Sequence, residues 1–165
     1  MNVPKTEQKQ ILLKDYCQIG QIEKAIRAIQ ENNVTEVALS VLGTFEEEHS
    51  NNSKGLVNKN KYLRTYFKEL LGVDTDFDSF YNPETGRVIV AGFLASMFVH
   101  EVGKKKLGSL SGGPYGILRG LGVSEFKAAT YVKKLNDGKY LLLVRGDCFD
   151  IENVEDTLEK LAKIS

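Results

Sequence analysis

Four glycines recur at four-residue intervals in the segment LGSLSGGPYGILRGLGV, residues 107–123. Residues spaced by four lie on one side of an α-helix, and a side that carries only glycine lets a second helix approach closely. Each interior glycine also costs about 0.5–1 kcal/mol relative to alanine, so packing within or between protomers must hold such a helix. The spacing therefore predicts a glycine face for close helix packing, formed by Gly108, Gly112, Gly116 and Gly120.

Two other interpretations of this segment are open. A plain glycine-rich loop needs no regular helix, and Pro114 would either kink a helix or mark its first turn. A phosphate-binding loop is disfavoured, because no Lys-Ser/Thr pair follows the glycines as it does in a Walker loop. The dinucleotide fingerprint also fails, since Glu125 stands where its third glycine belongs and a carboxylate would repel a phosphate.

The segment RVIVAGFLASMFVHEV, residues 87–102, is the expected partner of the glycine face. Its first four residues would also suit a strand, but Ala91 and Ala95 form a small-residue stripe at helical spacing. We therefore expect a helix from residue 88. The three lysines at residues 104–106 would form the turn of a glycine-rich helical hairpin.

The rest of the chain carries alternating strand and helix patterns. Strands are expected at residues 10–16, 35–43 and 139–146. Helices are expected at residues 19–32, 63–71 and 124–138, and from Asp150 onward. Ser124 is the predicted N-cap of the third helix, and the 139–146 strand is apolar enough to be central. The order predicts an α+β protein: a small ferredoxin-like sandwich with helices on one sheet face and the glycine-rich hairpin inserted.

A single domain is expected over residues 1–165, with its core in residues 10–44 and 87–165. The intervening residues 45–86 are interpreted as an insertion with a polar connection, a short amphipathic helix and an acidic, turn-rich loop. Their apolar content is too small to bury a core of their own, so a second domain is not expected.

The composition narrows the choice of partner and compartment. The chain has 165 residues, and 22 Lys and Arg balance 22 Asp and Glu, so no overall electrostatic field attracts nucleic acid.

Cys17 and Cys148 are expected to be half-buried, reduced thiols, as in a cytoplasmic protein. The N-terminus has no signal-peptide pattern, and the apolar run 88–99 is shorter than the roughly 20 residues of a membrane span. Peripheral membrane contact is not favoured.

The sequence contains no recognisable set of catalytic groups. His49 lies in the polar connection and His100 at the end of the expected hairpin helix. Asp74, Asp76 and Asp78 imitate the start of a calcium loop, but the glycine and the glutamate that such a loop needs further on are missing. We expect a protein that is not an enzyme and that uses no metal and no cofactor.

The run GLGVSEFKAATYVKKLNDGKYLLLV, residues 120–144, resembles the signature of a bacterial family of general stress and low-temperature-induced proteins. Members have a glycine-zipper stretch, a Gly-x-Gly-Ile-Pro-Glu motif, an alanine and a tyrosine three residues apart, and a glycine before an apolar strand. The matching positions are Gly120, Gly122, Glu125, Ala128, Tyr131 and Gly138. The chain departs from the pattern at Ser124, where the family has proline.

The resemblance implies a stress-linked, non-catalytic role without an agreed ligand. Combined with the glycine spacing, it predicts a homo-oligomer that acts through self-association or protein interaction. Two alternatives stay open: a small-molecule-binding regulatory module of ferredoxin-like type, and a peripheral membrane protein attached through residues 88–121.

Overall fold

The computed structural model describes residues 9–32, 36–45 and 53–164, with the backbone alone at residues 53–57. Across these ranges the chain forms seven strands and six α-helices. The strands are β1 (Gln10–Tyr16), β2 (Ala38–Phe45), β3 (Phe77–Asn82), β4 (Gly86–Gly92), β5 (Glu101–Val102), β6 (Lys105–Lys106) and β7 (Tyr140–Gly146). The helices are α1 (Ile19–Glu31), α2 (Ser53–Leu71), α3 (Ala95–Val99), α4 (Gly113–Gly120), α5 (Glu125–Asn136) and α6 (Cys148–Ile164), and a 3-10 turn spans Leu107–Ser109.

Five strands form one antiparallel sheet in the order β1–β7–β2–β4–β3, and β5 and β6 form a separate hairpin. β7 pairs with β1 on one side and with β2 on the other, so Leu143 lies opposite both Leu13 and Ser40. β1 and β2 therefore run parallel to each other with β7 between them, and α1 lies between them in the chain. The predicted strand–helix–strand unit and the interior position of the last strand are confirmed.

Helices pack on both faces of this sheet, which gives three layers. α1, α2 and α6 cover one face around side chains such as Ile22 and Phe67. α3, α4 and α5 cover the other face around Phe98 and Leu118. The α+β class is thus confirmed, but the ferredoxin-like arrangement is not: the sheet has five strands, and the expectation that helices cover only one face is wrong.

The expected helix from residue 88 is wrong at its start, because β4 occupies Gly86–Gly92. Val88, Ile89 and Val90 are β-branched and buried, which suits a strand covered on both faces. Helix α3 begins only at Ala95 and has five residues, so Ala91 and Ala95 do not share a helix face. The predicted helical hairpin is therefore absent.

The segment 45–86, interpreted from the sequence as an insertion, contributes to the central architecture. β3 is the edge strand beside β4, and α2 packs Leu63 and Phe67 into the core that also holds α1. The predicted short helix closed by Gly72 is confirmed at its C-terminus but begins earlier, at Ser53. The middle of the acidic, turn-rich loop is corrected to strand β3, in which Phe77 and Phe80 bury their rings on opposite sheet faces, while residues 73–76 and 83–85 form no strand.

The last two helices keep their predicted positions, with one shifted start. The Ser124 hydroxyl accepts a hydrogen bond from the Lys127 amide, which confirms it as the N-cap of α5. α6 begins at Cys148 rather than after Asp150. The Asp147 carboxylate accepts a hydrogen bond from the Asp150 amide at 2.8 Å. Asp147, which directly precedes α6, therefore stabilises the first turn of this helix.

Polar contacts join α5 to the edge strand β1. The Tyr131 hydroxyl donates to the Leu13 carbonyl at 3.0 Å, and Lys134 Nζ lies 2.7 Å from Asp15 Oδ1. Burial tends to raise the pKa of Asp15, but the hydrogen bond and charge of Lys134, with the charge of Lys139, hold that pKa below its ordinary value of 3.8. The ionised carboxylate is therefore stabilised in the folded protein.

The replacement Asp15→Asn is expected to lower the free energy of unfolding by about 0.5–1 kcal/mol at neutral pH. Because the folded-state pKa is lowered, the ion pair stabilises the fold above pH 3.8, and this contribution is lost as the pH falls through the folded-state pKa. Urea denaturation of both proteins at neutral and at strongly acidic pH measures the effect. Asp156→Asn on the exposed side of α6 is the control. If Asp15→Asn lowered the free energy of unfolding equally at both pH values, the stabilising effect would not come from the ionised Asp15 carboxylate.

Candidate functional site

The structure separates the four glycines of the predicted face. Gly108 lies in the 3-10 turn, Gly112 precedes α4 with a φ of +70°, and only Gly116 and Gly120 lie within α4. The left-handed backbone at Gly112 breaks any continuous helix through the segment. Pro114 lies in the first turn of α4, one of the two roles expected for it. A single continuous glycine stripe over residues 108–120 is therefore not formed, and this expectation is corrected.

A glycine is required at position 108 because neighbouring aromatic side chains leave no space for a Cβ atom. Gly108 is buried in the core beside β3 and α3. A Cβ atom at this position would lie 2.6 Å from Phe80 Cζ and 2.7 Å from Phe98 Cδ1. The two phenyl rings stack with their centroids 5.5 Å apart. The missing side chain therefore lets the backbone approach two aromatic rings, one from β3 and one from α3.

A buried asparagine holds this backbone in place. Asn82, with 0% of its surface exposed, donates from Nδ2 to the carbonyls of Gly108 at 2.8 Å and Leu110 at 3.0 Å. Its Oδ1 accepts the amides of Glu84 and Thr85. One side chain thus joins the β3–β4 turn to the glycine segment and satisfies four backbone groups.

Glu84 adds a second contact between the same two segments. Its Oε1 accepts the Ser111 hydroxyl and the Gly112 amide, both at 2.7 Å. These two hydrogen bonds hold the pKa of Glu84 below its ordinary value of 4.5. Asn82 and Glu84 together fix the chain that enters α4, and we call this pair the turn clamp. From the sequence alone, both residues are expected only in the acidic, turn-rich loop.

For Gly116 and Gly120, the described part of the chain shows no neighbouring atom that would require a glycine. Both are exposed, and a Cβ atom at either position would meet nothing within 4 Å. The opposite side of α4 buries Ile117 and Leu118 in the core, which fixes the orientation of the helix.

Two larger side chains flank this pair of glycines on α4. Tyr115 is half-buried, and Arg119 is exposed and hydrogen-bonds to the Val123 carbonyl at 2.9 Å. Tyr115 and Arg119 lie one helical turn apart, as do Gly116 and Gly120. We call these four residues the α4 face. Its two glycines are the part of the predicted glycine face that remains available to a partner.

The family-motif positions lie on structural elements and do not converge on a site. Gly122 and Gly138 have positive φ angles, and Gly138 follows the end of α5. Glu125 begins α5 and pairs with Arg119 at 3.8 Å. Ala128 is fully buried in the core, and Tyr131 contacts β1 as described above.

The residues considered for metal or redox chemistry are scattered. His49 lies outside the described residues, and His100 is exposed. Asp78 binds Lys106, while Asp74 and Asp76 are exposed. No group of three histidine, cysteine or acidic side chains placed to hold a metal occurs in the described part of the chain. Cys148 is half-buried as predicted, whereas Cys17 is exposed, contrary to expectation.

A cleft of about 650 Å³ opens at the end of the sheet where β2 begins and β4 ends. Ile29, Leu39 and Phe93 supply apolar lining, and Gln30, Thr75 and Asp76 supply polar lining. No local sequence pattern predicts this cleft, because its walls come from four separate segments of the chain.

Comparison with known proteins identifies no relative: no protein-family model, no curated protein and no solved structure matches this chain. The resemblance carried by residues 120–144 therefore stays a prediction. Among the helices that the structure describes, none is both long enough and apolar enough to cross a membrane.

Replacing Asn82 tests whether the turn clamp holds the glycine segment. Asn82→Ala removes the partner of four backbone groups and is expected to lower the free energy of unfolding by about 3 kcal/mol. Asn153→Ala on the exposed side of α6 should change it by less than about 0.5 kcal/mol. Urea denaturation followed by circular dichroism compares the two. A loss below about 1 kcal/mol for Asn82→Ala would contradict the role of the clamp.

Proposed function

We propose that this protein is a non-enzymatic interaction module that self-associates through the α4 face. The observation that carries the proposal is the exposed pair Gly116 and Gly120, for which the described chain provides neither a steric nor a backbone reason. Gly108 is required by two aromatic rings and Gly112 by its left-handed backbone. A glycine in a helix costs up to about 1 kcal/mol relative to alanine. A single exposed glycine such as Gly20 leaves no groove, whereas two glycines one turn apart do, and a contact outside the protomer would fill that groove.

The geometry of α4 suits a contact with a second copy of the same helix. Glycines one turn apart leave a shallow groove, and two such grooves allow backbones to approach closely around a two-fold axis. Tyr115 and Arg119 flank the groove, and tyrosine and arginine are enriched where protein interfaces are buried. The turn clamp fixes the start of α4, so little ordering is needed on association.

The wider biological role in this proposal rests on sequence. The stress-linked role is what the resemblance of residues 120–144 to the general stress family implies. The cytoplasmic location is inferred from the two reduced cysteines and the lack of a signal-peptide pattern. The non-enzymatic part follows from the absence of an acid–base or nucleophile motif in the sequence. A glycine face that functions between protomers is compatible with both.

A second candidate function is small-molecule binding, and the cleft of about 650 Å³ between α1, β2 and β4 favours it. This volume lies within the range of ligand sites, and the lining combines apolar walls with a few polar groups. Ligand binding there would raise the melting temperature without changing the oligomeric state. Self-association raises the mass of the particle in solution, whereas ligand binding does not change the oligomeric state. A mass measurement therefore distinguishes the two functions.

A leucine in the α4 face should prevent association without unfolding the protomer. Gly116→Leu places a branched side chain in open space within one protomer, so its circular dichroism spectrum should match that of the natural protein. Between protomers the same side chain would separate the helices. We expect association weaker by about tenfold or more, measured by sedimentation equilibrium.

The control is Gly20→Leu, because Gly20 is an exposed glycine in α1 whose Cβ position is equally open. Gly20→Leu should keep the association constant of the natural protein. The proposal fails if the natural protein stays monomeric up to about 1 mM, or if both leucine variants associate as the natural protein does.

A further inference from the structure

A second concave surface lies beside the β5–β6 hairpin, away from the α4 face. It is a cleft of about 460 Å³ lined by Tyr81, Pro83, Lys104, Lys105, Lys106 and Ser109. Gly103, with a φ of +68°, and Lys104 form the two-residue turn between β5 and β6. The hairpin therefore presents Lys104 at its tip, with Lys105 and Lys106 directly behind it.

The charge of this cleft is only partly neutralised. Lys106 Nζ lies 3.3 Å from both carboxylate oxygens of Asp78. Lys104 and Lys105 are exposed and form no ion pair among the described residues. None of the residues that line the cleft is acidic. Lys104 and Lys105 thus both line a cleft whose walls contain no acidic residue.

Concentrated charge of one sign in a cleft raises the local potential and attracts ions of the opposite sign. The chain as a whole has no net charge, so this positive potential is local to the hairpin. Two lysines on adjacent residues also repel each other, and a bound anion would relieve that repulsion. Lysine ammonium groups act as point-charge partners for phosphate, and the Ser109 hydroxyl can donate a hydrogen bond to it.

We propose that this cleft binds a phosphate-bearing anion, with Lys104 and Lys105 as the charge partners and Ser109 as a hydrogen-bond donor. The volume exceeds what a single inorganic phosphate needs and suits a diphosphate or a phosphorylated small molecule. The same phosphate chemistry occurs in soluble anions and in lipid headgroups. The inference does not rest on self-association, because α4 contributes no residue to the cleft.

Isothermal titration calorimetry with inorganic pyrophosphate tests the proposal on the full chain. The double variant Lys104→Gln, Lys105→Gln should bind at least about tenfold more weakly than the natural protein, with a smaller dependence on salt. The control is Lys160→Gln, Lys163→Gln, which removes the same charge from exposed positions of α6. The control should keep the affinity of the natural protein. Circular dichroism verifies that both variants fold.

Sedimentation with vesicles that contain a tenth phosphatidic acid identifies the source of the phosphate. Vesicle binding that pyrophosphate displaces supports the site and assigns it to lipid headgroups. Pyrophosphate binding without vesicle binding supports the site and assigns it to a soluble anion. The proposal is overturned if the natural protein does not bind pyrophosphate, or if both double variants lose affinity equally.

Discussion

The structure depends on the burial of β7 on both of its faces. Four consecutive residues of this strand, 141–144, are fully buried, and they alternate between two separate cores. A strand of this kind cannot face water on either side, so helices must cover both sheet faces. The chain meets this requirement locally, because α5 precedes β7 and packs on one face, while α6 follows it and packs on the other. β1 and β2 then complete the pairing of β7 at its two edges.

Much of this fold could be predicted from local patterns, and the failures have a common physical cause. α1 and α5 have an apolar stripe on one side and clear end signals, so their positions were predictable. Residues 88–91 are apolar without interruption, and such a run suits a buried strand or a buried helix equally well. Strand β3 has no alternating apolar pattern, because its two buried phenylalanines, Phe77 and Phe80, are three residues apart and face opposite sides of the sheet. Long-range pairing decided both segments, and no local pattern contains that information.

The candidate site shows the same division between local and long-range information. Regular glycine spacing suggested one role, yet Gly108 and Gly112 are each explained by a separate constraint, one steric and one conformational. Only Gly116 and Gly120 remain open to the role that the spacing suggested. The buried amide of Asn82, which holds the segment in place, could not be found from sequence, because its partners lie 26 and 28 residues further along the chain. The cleft beside the β5–β6 hairpin likewise could not be predicted, because its lining comes both from the hairpin and from the edge strand β3.

In the proposed assembly, α4 contacts a second copy of itself through Gly116 and Gly120. Hydrogen–deuterium exchange at low and at high protein concentration tests it most directly, since association protects only the backbone that it covers. We predict that amides in α4 exchange more slowly at high concentration, while amides in α1, including those around the equally exposed Gly20, are unaffected. Exchange in α4 that is independent of concentration, or protection that appears on another surface, would contradict the account.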